Sequence, residues 1–150
     1  KKKIIIKTIP KIKYEGRLQY IKSGKLRKHL MTNEKLLIDG CHSLTSGKNL
    51  NEYLKSLKEP IYGIWGMQKN KMPKEFITIF KKTFVKLITI KIPNEPNALT
   101  AEKLKSFAYK GNTFASKNIY EAFKLISDKK KKTIVVFGSL YLVGDVLSKN

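Results

Sequence analysis

From residue 36 onward, short apolar runs alternate with amphipathic stretches, and that alternation leaves the chain few folds to choose from. "LLIDG" (36–40) is followed by "NLNEYLKSL" (49–57), "IYGIWGM" (61–67) by "PKEFITIFKKTF" (73–84), and "KLITIKI" (86–92) by "TAEKLKSFA" (100–108). Leu50, Tyr53, Leu54 and Leu57 recur at i, i+3, i+4 and i+7, one face of a helix. Phe76, Ile79, Phe80 and Phe84 predict a second helix over 73–84 in the same way. "NTFAS" (112–116) then precedes "NIYEAFKLIS" (118–127), and the chain closes with "TIVVFGS" running into "LYLVGDVLSK". Strands that are apolar on both faces, each returning through a helix, belong in a parallel sheet covered on two sides. The expected fold is therefore α/β: a Rossmann-like, open, mostly parallel sheet of about six strands, the usual sheet size, with helices on both faces. Residues 1–35 lack this rhythm and read as extended chain or a hairpin leading in, at the sheet's edge. We divide the chain into a lead-in over 1–13 and a domain over 14–150.

At 150 residues one domain can bury about 70% of the surface its unfolded chain exposes, so no staple is required. The single cysteine, Cys41, excludes an internal disulfide. With only His29 and His42 beside it, there is no zinc spacing. No apolar run approaches the ~20 residues that cross a bilayer, and no signal-peptide core follows the basic start. We expect a monomer in the reducing cytoplasm, without a membrane partner. The chain starts at Lys1 and not Met, as a piece of a longer protein would.

A net charge of +21 points toward nucleic acid. Its make-up argues the other way. Of 32 basic residues only Arg17 and Arg27 are arginine, whereas nucleic-acid surfaces use the forked, stacking guanidinium. The lysines are spread over every segment, so nucleic acid is not the expected partner. The run "DKKKK" (128–132) reads most simply as a solvated connection between a helix and a strand.

Open parallel sheets gather their ligands at the carboxyl ends of the strands. Here the exits read "DGCHS" (39–43), "GMQKNK" (66–71), "PNEPN" (93–97) and "GSLY" (138–141). Asp39 can hold a ribose hydroxyl or a cation, or merely end its strand and cap the next helix. Ser139 suits a plain N-cap as well as a hydroxyl facing an anion. Cys41 and His42 are neighbours that project in different directions, so Cys41 reads as a small buried residue and not a nucleophile. Trp65 and Tyr62 belong to a central strand, as core or pocket wall.

Taken in order, these exits resemble the C-terminal domain of folylpolyglutamate synthase and dihydrofolate synthase, members of the Mur ligase superfamily. "YEGRL" (14–18) stands where that family has W-P-G-R-L, "LLIDGCHS" where it has L-L-D-G-A-H-N, and "GMQKNKM" where it has G-x-x-x-D-K-D. "PNEPNAL" matches P-x-N-P-R-A, and "GSLYLVG" (138–144) is intact. The resemblance implies an ATP-dependent ligase that joins the amino group of glutamate to a carboxylate of pteroate or folate through an acyl phosphate. It implies Arg17 at the ATP phosphates, Asp39 near the ribose, His42 lining the nucleotide and glutamate side, and Ser139 toward the amino-acid substrate. A guanidinium binds phosphate oxygens in a fork and stabilises the transferring group, which suits Arg17 to that work.

The sequence departs from the family pattern at Tyr14 and Glu15, at Ser43, at Lys69, Asn70 and Lys71, and at Asn97. It holds no G-x-x-x-x-G-K-[ST] loop and no acidic cluster for Mg2+. ATP and Mg2+ are thus expected to be held mainly by a central ATPase domain supplied in cis or in trans, and the isolated chain is expected to be inactive. Judged as about three domains of ordinary size, the whole enzyme would have about 400 residues. Two other readings remain at this level: an inactive remnant kept as a folded interaction domain, and a basic module that binds nucleic acid or an acidic partner.

Overall fold

The structure, a computed structural model, describes residues 15–128 and 130–150. The lead-in expected over 1–13, and Tyr14 at the head of "YEGRL", lie outside the described residues. Among the described residues six strands form one sheet: β1 (Gln19–Ile21), β2 (Glu34–Asp39), β3 (Ile61–Trp65), β4 (Lys86–Ile90), β5 (Thr113–Ser116) and β6 (Lys132–Phe137). The helices are α1 (Leu44–Ser56), α2 (Pro73–Thr78), α3 (Ala101–Phe107), α4 (Ile119–Ile126) and α5 (Leu140–Lys149). A 3-10 turn over Leu26–His29 joins β1 to β2. The spatial order is β1-β2-β6-β3-β4-β5. Only β1 runs antiparallel to its neighbour, so the expected fold class is the one the chain adopts, with β1 at an edge.

The alternation seen in sequence becomes two cores. Leu36, Ile38, Tyr62, Ile64, Ile88, Ile90, Ile134 and Val136 face α4 and α5. Leu37, Ile61, Trp65, Leu87, Val135 and Phe137, their neighbours in register, face α1, α2 and α3. The helices divide this way because the chain steps β2→β3→β4→β5 in one direction and then reverses to insert β6 between β2 and β3. Crossovers of one hand that run in opposite directions must cover opposite faces. All six residues of β6 are buried. Each fully buried aliphatic or aromatic side chain of these cores stabilises by about 1.5–3 kcal/mol.

Two expectations need correction. The helix expected over 73–84 stops at Thr78, and the chain turns through Lys82 at φ +75°. The aromatic stripe survives without the helix, because Phe76, Phe80 and Phe84 all pack around Phe137, Phe80 at a centroid distance of 4.8 Å. The "DKKKK" connection is not wholly solvated either. Lys132 is 0% exposed and opens β6, because Glu34 on the adjacent strand and the Ile126 carbonyl give its ammonium partners. Among the described residues no helix is long and apolar enough to cross a membrane.

Candidate functional site

The reversal in strand order brings the exits of β2, β6 and β3 side by side, the switch point at which open α/β sheets build their clefts. The exits approach backbone to backbone. Gly138 ends β6 at φ +109°, and a Cβ there would lie 2.6 Å from the Gly66 carbonyl oxygen and 2.6 Å from Trp65 Cδ1. Only glycine meets both demands.

Against the exit of β2 sits a tight turn at Gly16, Arg17 and Leu18. Gly16 adopts φ +73°, where a Cβ would fall 2.6 Å from Val143 Cγ1 of α5. Its N–H donates to Gln19 Oε1 at 2.7 Å, and its carbonyl accepts from Gly40 N–H at 2.7 Å. Leu18 takes φ +43°, an uncommon state for a residue with a side chain. Asp39 holds it there: Oδ2 accepts the Leu18 N–H at 2.9 Å, while Oδ1 accepts the Cys41 N–H at 2.8 Å. Amide bonds to an ionised carboxylate are roughly twice as strong as neutral ones. The sequence reading brought Arg17 and Asp39 into one site, and the structure puts them in contact, Nη1 to Oδ1 at 3.8 Å. They differ in exposure. The Asp39 carboxylate is 7% exposed with both oxygens turned onto backbone, and the Arg17 side chain is 40% exposed.

His42 follows at the start of α1. Its Nδ1 donates to the Gly40 carbonyl at 2.9 Å. A carbonyl only accepts, so this bond fixes the proton on Nδ1 in the neutral ring and leaves Nε2 as the ring atom available to a ligand. Its own N–H donates to Ser46 Oγ at 3.3 Å, and Ser43 caps α1 in a reciprocal box with Ser46. Ser43, the departure from the family asparagine, is thus a working N-cap. Cys41 is 1% exposed in the core with Leu37, Trp65 and Phe137. Burial pushes its thiol well above the usual value and the Asp39 charge adds to this, with only partial offset from a Gly138 N–H bond and Arg17. A thiol so placed is inert and serves packing.

Ser139 is 1% exposed and its Oγ accepts the Tyr141 N–H at 3.1 Å, capping α5. Leu140 and Tyr141 immediately beyond it are exposed, as are Leu18 and Met72. The remaining exits join into one ledge: Lys69 N–H donates to the Asn97 carbonyl at 2.9 Å, Leu99 N–H to the Met67 carbonyl at 3.0 Å, and Gln68 bridges Ala98. Among the described residues no three His, Cys, Asp or Glu side chains gather where they would hold a metal ion. The sequence reading missed Gln19, whose side chain holds the arginine turn. The only signal for it was its position directly after "EGRL".

Comparison with known proteins sets these features in context. The family model described as dihydrofolate synthetase, C-terminal domain, matches residues 22–149, which takes in Asp39, His42 and Ser139 and starts just after Arg17. No curated protein sequence matches the chain. Among solved structures it is similar to folylpolyglutamate synthase from Thermotoga maritima (22% identity, TM-score 0.74, 99% of this chain and 33% of that one). It is also similar to E. coli FolC in complex with DHPP and ADP (19%, 0.74, 90% and 31%). A third is the bifunctional folylpolyglutamate synthase/dihydrofolate synthase from Yersinia pestis, complexed with AMPPNP and Mn ion (14%, 0.74, 91% and 31%). The chain therefore spans about a third of the length of these structures.

Proposed function

The chain belongs to the family of dihydrofolate synthetase C-terminal domains, and from that membership we propose that it forms one wall of the active site of an ATP-dependent ligase adding glutamate to folate or pteroate. When bound, ATP supplies the phosphoryl group that activates the acceptor carboxylate for attack by the glutamate amine. One neighbour is in complex with DHPP and ADP and another with AMPPNP and Mn ion, which supports a nucleotide and a divalent cation as cofactors of the complete enzyme. On this chain we assign Arg17 and His42 to the nucleotide side of that wall. Arg17 presents its fork to phosphate oxygens and stabilises charge as it develops. His42, with Nδ1 tied to Gly40, offers Nε2 at the N-terminus of a thirteen-residue helix, where the dipole favours an anion. Asp39, which the resemblance put near the ribose, has both oxygens turned onto backbone amides and supports the wall from behind, and Ser139 fixes the start of α5 next to the glutamate side. Mg2+ and the phosphate-cradling loop belong, in this reading, to the part of the enzyme outside these 150 residues.

The observation that carries the proposal is the unequal pair at the exit of β2. Asp39 is spent on backbone amides and stands 3.8 Å from an Arg17 side chain that is 40% exposed, so the guanidinium keeps its fork for a ligand. The test is calorimetry with ATP, followed by glutamate incorporation into folate with and without the missing domains. The isolated chain is expected to bind ATP with Kd on the order of 1 mM or weaker, about 4 kcal/mol or less, and to turn over nothing. Supplying those domains in trans is expected to restore incorporation, and Arg17→Ala in that mixture to cut turnover by about 10² to 10³. Turnover by the chain alone overturns the single-wall reading, and failure of rescue favours the remnant.

A further inference from the structure

We infer that Gln19 and Asp39 are positioning residues that together clamp the Gly16–Leu18 turn and so set the direction of the Arg17 side chain. The inference rests on the proposed role of Arg17, and it adds two residues that act through that arginine and touch no ligand themselves.

The clamp closes from two sides. Gln19 Oε1 takes the N–H on the near side of Arg17, that of Gly16, at 2.7 Å. Asp39 Oδ2 takes the N–H on the far side, that of Leu18, at 2.9 Å. The peptide that follows Arg17 and the one that precedes Gly16 are thereby tied to two different strands, β2 and β1, which are themselves paired Gln19 to Ile38, and the Gly16 carbonyl between them is held by Gly40 N–H. Without the clamp the turn has reason to relax, since Leu18 sits at φ +43°, a state kept only where surroundings impose it. Neither clamping group fastens the guanidinium itself. Asp39 stands 3.8 Å from Nη1, beyond hydrogen-bond length. The geometry fixes where the arginine starts and leaves its end free for a ligand. Holding a phosphate-binding donor in place before the ligand arrives is where much of the rate advantage of such groups originates.

The 150-residue chain itself supports the experiment, because its two arginines make side-chain assignment simple. Arg27, whose Nη2 is bonded to the carbonyls of Met31 and Thr32, serves as internal control. Nitrogen NMR on wild type, Gln19→Leu, Gln19→Glu and Asp39→Asn would follow Leu18 amide exchange and the mobility of the Arg17 Nε–H group, with melting temperature recorded beside them. Asp39→Asn is expected to speed Leu18 exchange by about tenfold or more, the scale of one lost hydrogen bond to a charged group, and Gln19→Leu to speed it by about three-fold, the scale of a neutral bond lost next to it in the same turn. Both are expected to loosen Arg17 Nε–H while Arg27 stays unchanged. Gln19→Glu keeps the acceptor and is expected to behave as wild type. An Arg17 signal unmoved in both Gln19→Leu and Asp39→Asn, or loosened equally in Gln19→Glu, overturns the clamp. Titration of the wild type with inorganic tripolyphosphate is read separately: absence of any Arg17 shift at millimolar concentrations counts against Arg17 as a phosphate ligand and leaves the clamp to be judged by the variants.

Discussion

An ion pair stands near each end of the ladder that β2 shares with β6, and the two pairs are built in opposite ways. At the amino-terminal edge Glu34 and Lys132 are register partners, 0% exposed at both side chains, with Nζ 3.5 Å from Oε1. Each is fully furnished. Lys132 also donates to the Ile126 carbonyl at 3.1 Å and to Asp128, and lies 4.6 Å from the centre of the Tyr62 ring. Glu34 accepts from Met31 N–H at 2.9 Å and from Ser127 and Asp128 at 3.3 Å. At the other edge Asp39 also has both oxygens bonded, but its cationic neighbour Arg17 is left half free. The difference separates two uses of charge. A pair buried on one face of two strands penalises any one-residue slip, which would part the two charges and turn one of them toward the wrong core. An acid that binds backbone and not its basic neighbour fixes a loop while leaving the base for a ligand.

The sharpest way to break this comparison is to remove the buried cation. Lys132→Ala leaves Glu34 without its counter-charge, and a loss of about 3–5 kcal/mol is expected, since an uncompensated buried charge is what remains. Chemical denaturation would measure it. The double variant Glu34→Leu with Lys132→Met is expected to recover most of that loss, because apolar replacement of a whole buried pair is often neutral or stabilising by about 1–4 kcal/mol. A Lys132→Ala chain within about 1 kcal/mol of wild type, the scale of an exposed pair, would mean that the two edges do not differ as described.

How much of this was readable beforehand follows from how far apart the partners lie in sequence. The βα alternation is local: Leu36, Leu37 and Ile38 announce a strand buried on both faces without reference to any other segment, and the exits follow from where such runs stop. The N-cap at Ser139 was readable for the same reason, whereas the cap of the helix after β2, read as a possibility at Asp39, falls to Ser43. Lys132 was not, because it sits in a run of identical lysines and what buries it is a carboxylate on another strand. The end of α2 was hidden by Phe80 and Phe84, which keep helical spacing while packing on Phe137 from a turn. At the site, the residue types of Arg17 and Asp39 pointed to chemistry. That both Asp39 oxygens face inward could not be read, since one of their partners is an amide on the opposite side of the β1 turn.

Acid should sharpen the comparison with a smaller effect. Burial works to raise the Glu59 carboxyl, and bonds from Thr133 and Lys35 with the charges of Lys35 and Lys131 outweigh it, so it lies below its usual 4.5. The Asp128 carboxyl is lowered from 3.8 by its bonds from Lys132 and the Lys130 N–H. Both groups stand at the amino-terminal edge, beside β6. A carboxyl lowered by folding binds fewer protons folded than unfolded, so its contribution is complete above the usual value and lost as pH falls through the lowered one. Stability is expected to decline as pH drops below about 4.5 and then 3.8, with amide exchange rising first around 126–134. Thr133→Val should flatten the upper part of that decline. Exchange rising first at Gly16–Leu18 would reverse the assignment of edges.

The smallest expected change tests the free end of the comparison. Arg17→Ala removes a side chain that is 40% exposed and stands 3.8 Å from its acid. Exposed pairs of that kind contribute about 0–1 kcal/mol. Asp39 loses little when the guanidinium goes, because its oxygens keep the Leu18 and Cys41 amides. Denaturation midpoints of Arg17→Ala and wild type are therefore expected to agree within about 1 kcal/mol, and the Leu18 amide should remain protected. That pairing of results is informative because it is asymmetric: the clamp is expected to survive without the arginine, whereas the arginine is not expected to keep its direction without the clamp. A destabilisation near that of Lys132→Ala would show that Arg17 is a structural partner of Asp39 after all, and a residue so committed would have no fork left to offer a phosphate.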